Sequence, residues 1–221
     1  MDPENFNFPK GEIPSTPRRR GDCRLMVVDR ENVTIGHYEI NDLPMFLQGS
    51  QVWANDSYAK KEETNVYSWT IGSHVLPSAG FYLTPEIVDG FDLRTLTLHI
   101  GSPREQVDIN YGFNSNIGWD EPYWMQAPPG KNVAAIGTTV VKALETWART
   151  GKLVGRSTLF VQPPFEFLVV KKLLTNFHFP KECLLALTCA FGGVDLIREA
   201  YEVAVKENYL FSDYGDRLLV I

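Results

Sequence analysis

Val133-Ala134-Ala135-Ile136-Gly137-Thr138-Thr139-Val140-Val141-Lys142-Ala143-Leu144-Glu145 decides how this chain folds. Four apolar residues read as a short buried strand, and a glycine turns the chain. From about Thr138 to Thr150 the apolar residues recur at helical spacing: Val140, Val141, Leu144, Trp147 and Ala148 form one face. Gly151 is placed to stop the helix in the left-handed conformation.

Outward from this unit the second half continues the alternation. Ser157–Val161 reads as a strand closed by Pro163-Pro164. An apolar strand-like segment runs up to Thr175, and a long helix is expected from Pro180 to Phe191. Gly192-Gly193 breaks it, a second helix follows from Asp195 to about Asn208, and Leu218–Ile221 reads as a strand. In the first half, Arg24–Val28 and the alternating Val33–Ile40 form a hairpin pattern. Gln51–Ala54, Val66–Ile71 and Thr95–Gly101 read as further strands, residues 57–65 as a loop, and residues 110–131 carry no clear pattern. Strands first and strand–helix alternation after predict a mixed α/β domain over residues 1–221, with residues 1–22 as an extended leader.

Composition bounds the function. The chain has 221 residues, 44% of them hydrophobic and 22% charged. No apolar run approaches the roughly 18–20 residues of a membrane span. The first 22 residues carry Pro3, Pro9, Pro14, Pro17 and Arg18-Arg19-Arg20 without an apolar core, unlike a secretory signal. Cys23, Cys183 and Cys189 form no CxxC pair, so free thiols in a reducing cytoplasm are expected, and no metal site. The net charge of −6 lends no support to nucleic-acid binding through phosphates.

Two junctions gather polar groups. Gly137-Thr138-Thr139 offers free N–H groups and the positive end of a helix dipole to a carboxylate or phosphate. The plainer alternative is that Thr138 or Thr139 caps the helix. At Thr175-Asn176-Phe177-His178-Phe179-Pro180 a hydroxyl, an amide and an imidazole sit beside apolar runs, a pattern of binding sites. A satisfied buried histidine is the alternative for His178. Glu145 stands one turn from both Lys142 and Arg149, as in an exposed i,i+4 pair. His99 on a strand, Asn55-Asp56 at a strand end and Asp216 in Tyr214-Gly215-Asp216 are each explained by structure alone. Trp119, Tyr123 and Trp124 fit either base stacking or a core edge.

Together these segments resemble the S-adenosylmethionine:tRNA ribosyltransferase-isomerase family of queuosine synthesis. The resemblance rests on Gly137–Glu145, Leu174–Lys181, Ala190-Phe191-Gly192-Gly193, Ala200-Tyr201 and Tyr214-Gly215-Asp216, in the family's order. Thr97–Gly101, Asn55-Asp56, Phe8-Pro9 and Arg24-Leu25 also fit. It covers most of the chain, is most specific from residue 133 onward, and is weak over residues 57–94 and 102–132.

The resemblance implies the α/β main domain of that fold. It also implies transfer and isomerisation of the ribosyl part of S-adenosylmethionine onto a 7-aminomethyl-7-deazaguanine in the tRNA wobble position. S-Adenosylmethionine would be a substrate and tRNA the acceptor; Glu145, His178 and Asp216 would be catalytic. Asn55, Asp56, His99, Gly137, Thr138, Thr139, Thr175 and Asn176 would bind substrate. The departures are specific. The family's small inserted β domain is expected to be missing, with residues 57–94 marking its place. Tyr82 replaces a histidine, Asn116–Glu121 lacks two more, Ser57-Tyr58 replaces a threonine–arginine pair, and Lys142 replaces an arginine. Other readings left open are a nucleoside- or S-adenosylmethionine-binding protein without the full reaction, a partner subunit, and a homo-oligomer.

Overall fold

The computed structural model describes residues 3–10, 12–13, 22–58, 65–73, 77–100 and 120–221. Arg18–Arg20, Lys60, Lys61, Gly101 and Asn116–Trp119 lie outside the described residues.

The strand–glycine–helix unit forms as its sequence suggests. Strand β8 (Val133–Ile136) is buried at all four residues. It lies between two parallel neighbours, β3 (Gln51–Asn55) and β10 (Val170–Asn176), which explains its unbroken apolar run. Gly137 turns the chain at φ +93°, where a side chain would be strained, and its N–H donates to Leu174 O at 2.8 Å. Helix α3 (Thr138–Thr150) follows. Gly151 ends it at φ +69°, donating to Trp147 O at 2.7 Å.

The remaining elements, in chain order, are β1 (Arg24–Asp29), β2 (Thr34–Glu39), α1 (Leu43–Leu47), β4 (Ser57–Tyr58), β5 (Thr70–Ile71) and α2 (Pro85–Val88). Then come β6 (Asp92–Leu98), β7 (Glu121–Met125), β9 (Val154–Ser157), α4 (Cys183–Gly192), α5 (Val194–Lys206) and β11 (Arg217–Val220). Nine strands make one sheet in the order β2-β1-β11-β10-β8-β3-β6-β7-β9. Strands β10, β8, β3 and β6 run parallel, and antiparallel partners finish both sides. Alternate residues of β8 feed two cores. Val133 and Ala135 pack with Val140, Leu144, Leu185 and Ile197 of α3, α4 and α5. Ala134 and Ile136 pack with Leu43, Leu47, Tyr82 and Ile87 on the other face. No helix among the described residues is long and apolar enough to cross a membrane.

Three local expectations change. Of Val66–Ile71 only Thr70–Ile71 is strand, paired with Ser57–Tyr58, which had read as loop. The Asn65 side chain accepts from Ser68 Oγ at 2.6 Å and holds a turn where the apolar run suggested a strand. The strand expected at Ser157–Val161 lies earlier, at Val154–Ser157, because its pairing with β7 ends at Ser157. Helix α4 begins at Cys183 and not at Pro180, since Lys181 is left-handed at φ +63° and Glu182 is the N-cap residue.

Candidate functional site

The parallel strands β8 and β10 end side by side, and a cavity of about 280 Å³ opens beyond them. Clefts beyond the carboxyl ends of parallel strands are the usual ligand position in such sheets. Gly137, Thr138, Thr139 and Lys142 contribute from the start of α3, and Thr175, Asn176, Phe177 and His178 from the end of β10 and the residues after it. Glu182 and Cys183 come from the start of α4, Ser78 from a short 3-10 turn, and Asp213 from the turn before β11.

At α3 the N-cap is Gly137, so no side chain caps the helix, and neither threonine takes that role. The N–H groups of Thr138 and Thr139 have no hydrogen-bond partner among the described residues. They face anion-binding geometry at the positive end of a 13-residue helix.

At β10 the polar groups are connected. Thr175 Oγ1 lies 3.0 Å from His178 Nε2, and the His178 N–H donates to Tyr201 OH at 3.0 Å. Burial, assisted by the cation of Arg217, pushes the His178 imidazole down to about 3, so it is neutral. Its Nδ1 comes within 3.7 Å of Glu182 Oε2, a contact and not an ion pair. Glu182 Oε2 accepts from the Phe179 N–H at 3.1 Å. Burial, with a smaller contribution from Asp213, raises the Glu182 carboxyl to about 7 against the lowering effect of that hydrogen bond.

A third group joins them. Ser78 Oγ donates to Asp213 Oδ1 at 2.6 Å, and Asn176 Nδ2 donates to Ser78 Oγ at 2.7 Å and Asp213 Oδ1 at 3.3 Å. Beneath this group lies the fully buried Arg217. Its guanidinium donates to five carbonyls, those of Ser78, Ala79, Asp213, Gly215 and Asp216. Tyr82, where the resemblance expects a histidine, lies under that guanidinium with its ring centroid 4.8 Å away. Lys142, where it expects an arginine, pairs with Glu121 at 2.7 Å inside the cavity.

Gly137, Thr138, Thr139, Thr175, Asn176 and His178 are thus brought together, and the other expected site residues are not among the lining. Glu145 is a fully buried residue of α3 that does not reach the cavity; its carboxylate accepts from the N–H groups of Leu168, Val169 and Val170 and from Arg149 at 2.7 Å. The i,i+4 pair is there, with Arg149 exposed and its carboxylate partner buried. Asp216 is fully buried and accepts from Arg24 N and Leu210 N, both at 2.8 Å, and from the Arg24 guanidinium. Asn55 ties β3 to β6 through the backbone of Leu98, and Asp56 accepts from Thr97 Oγ1 at 2.6 Å. His99 stacks edge-on against Trp124 at 5.0 Å. Glu182 and Arg217 carried no signal in the sequence beyond a lone polar residue beside an apolar run; Ser78 opens the segment Ser78–Leu83, which only the family resemblance marks, and Asp213 is a second carboxylate near Asp216.

Comparison with known proteins matches residues 125–220 to the family described as queuosine biosynthesis protein. The S-adenosylmethionine:tRNA ribosyltransferase-isomerase of Rubrobacter xylanophilus is 37% identical over 174 residues, covering 74% of this chain and 52% of that protein. The protein of that name from Sulfurihydrogenibium sp. is 39% identical over 165 residues, covering 68% and 49%. The one from Thermus thermophilus is 38% identical over 182 residues, covering 71% and 50%. The chain therefore spans about half the length of the curated relatives it matches. A crystal structure of S-adenosylmethionine tRNA ribosyltransferase from Thermotoga maritima shares the fold, with a TM-score of 0.70 at 24% identity over 98% of this chain and 100% of that one.

Proposed function

The chain belongs to the queuosine biosynthesis protein family, and on that premise we propose that it is an S-adenosylmethionine:tRNA ribosyltransferase-isomerase. It moves the ribosyl part of S-adenosylmethionine to a 7-aminomethyl-7-deazaguanine in the tRNA wobble position, rearranging the sugar as adenine and methionine leave. One observation carries this reading: Gly137–Lys142 and Thr175–His178, parts of the segments that most resemble the family, converge on a single cavity. Its volume of about 280 Å³ is near the lower end of small-molecule sites, roughly 300 Å³.

Within this reading the substrate's methionine carboxylate lies against the free N–H groups of Thr138 and Thr139. Neutral His178, held by Thr175, offers the ribose or base edge a hydrogen-bonding imidazole. Glu145 and Asp216 support the site from behind by fixing α3 and the segment before β11. We read residues 1–221 as the family's main domain, with residues 57–94 at the place of its small β domain, and the protein as cytoplasmic.

The test is calorimetric titration with S-adenosylmethionine, followed by single-turnover assay on tRNA bearing the deazaguanine. Micromolar binding with adenine release supports the reading. Binding without adenine release reduces the protein to a ligand-binding relative, and no binding removes the assignment.

A further inference from the structure

The cavity is rich in acceptors and poor in cations. Among the described residues its basic side chains are Lys142 and His178. Lys142 is held by Glu121 at 2.7 Å, and His178 is neutral. Arg217 stands behind the wall with its donors engaged by five carbonyls.

Against these stand two carboxyl groups besides Glu121, on different segments. Glu182 uses Oε2 for the Phe179 N–H, and its other oxygen has no partner among the described residues. Asp213 uses Oδ1 for Ser78 and Asn176. The groups facing Glu182 are neutral His178 at 3.7 Å, Asp213 and the Tyr201 hydroxyl, which burial keeps protonated. None of them neutralises a carboxylate.

The amide of Asn176 points the same way. Asp213 can only accept, so the Ser78 hydroxyl proton goes to it, and Ser78 Oγ must accept from Asn176 Nδ2. The amide oxygen is thereby turned away from both. Asn176 lines the cavity at 5% exposure, and its Oδ1 has no hydrogen-bond partner among the described residues. A buried acceptor left unmade is unfavourable and marks a place where a donor or cation is wanted.

Resting on the functional reading above, we propose that Glu182 is the specificity residue for the ligand's positive charge, facing the sulfonium of S-adenosylmethionine. The amino group travels with the carboxylate and stays near the start of α3, which leaves the carboxyl at the start of α4 for the sulfur. The charge on the sulfur separates this substrate from its neutral thioether, S-adenosylhomocysteine.

The experiment is calorimetric titration of wild type and Glu182→Gln with both compounds between pH 6 and pH 8.5, in buffers of different ionisation heat. Wild type is expected to prefer the sulfonium by about tenfold at pH 8, with the preference shrinking toward pH 6 as Glu182 takes a proton. At pH 7 sulfonium binding should release roughly half a proton. The glutamine variant should lose both the preference and the proton release. Equal affinity of wild type for the two compounds at every pH, with no proton release, overturns the proposal while leaving the functional reading standing. Failure of wild type to bind either compound overturns both. The pH series on wild type needs no variant, so a folding defect in Glu182→Gln cannot protect the idea.

Discussion

Burial moves two neighbouring side chains in opposite senses, His178 down to about 3 and Glu182 up to about 7. Their consequences for stability also run in opposite directions. Unfolded Glu182 titrates near 4.5, so the folded state is penalised by its charge as pH rises from 4.5 through 7. Glu182→Gln keeps an oxygen for the Phe179 N–H and removes that penalty. The variant is expected to melt several degrees higher than wild type at pH 8, by roughly 1–2 kcal/mol after allowance for solvent screening, and nearly with it at pH 4.5. Paired melting curves at the two pH values check this. His178 is neutral when folded and protonates near 6.5 when unfolded, so its contribution is complete above 6.5 and is lost as pH falls toward 3. Its ring resonances in an NMR titration are expected to stay neutral down to pH 5, the lowest point at which the fold need be kept. A protonation midpoint near 6.5 would contradict this burial.

At the scale of elements, α3 carries function at one end and support in its middle. Proline is well tolerated at the first helical position and lacks the N–H. The residue before it, Gly137, already has extended ψ of 148°. Thr138→Pro should therefore leave the melting temperature within a few degrees and weaken S-adenosylmethionine by about tenfold, since an anion loses one charge-assisted hydrogen bond. Calorimetry with matched melting curves decides it. Two turns on, Glu145 holds the chain entering β10 by three backbone N–H groups. Glu145→Ala strands these donors and should cost about 3–5 kcal/mol in urea unfolding at pH 7. Elements whose cause is local were readable in the chain: the β8–Gly137–α3 unit, the β1–β2 hairpin, the break at Gly193. The site was readable only in part. Thr138, Asn176 and His178 stand next to visible breaks in pattern. Glu145 and Asp216 looked like ordinary carboxylates because the groups that bury them, at Leu168–Val170 and at Arg24, are remote in sequence or belong to other elements. Glu182 and Arg217 take their character from partners that no sequence window contains.

Across the whole molecule one sheet ties the two cores together. Each strand of its centre contributes alternate residues to both, so neither face can melt alone. Calorimetric unfolding is expected to be a single transition with van't Hoff and calorimetric enthalpies in agreement. Strand β11 is the element on which this depends most. It lies between β1 and β10, and it brings Arg217 to the carbonyls of Ser78 and Ala79. A chain ending at residue 216 should show neither the cooperative transition nor S-adenosylmethionine binding, which circular dichroism and calorimetry would report. The position of β11 also sets a timetable. During synthesis β1 and β2 precede every other strand of the sheet, yet among the described residues the strand that joins them to the rest, β11, is made after all the others. Until then β1 and β10 each present an open edge to whatever other chains are near. The sheet therefore closes only once β11 has been made, and until then the nascent chain is a natural client for chaperones that shield strand edges.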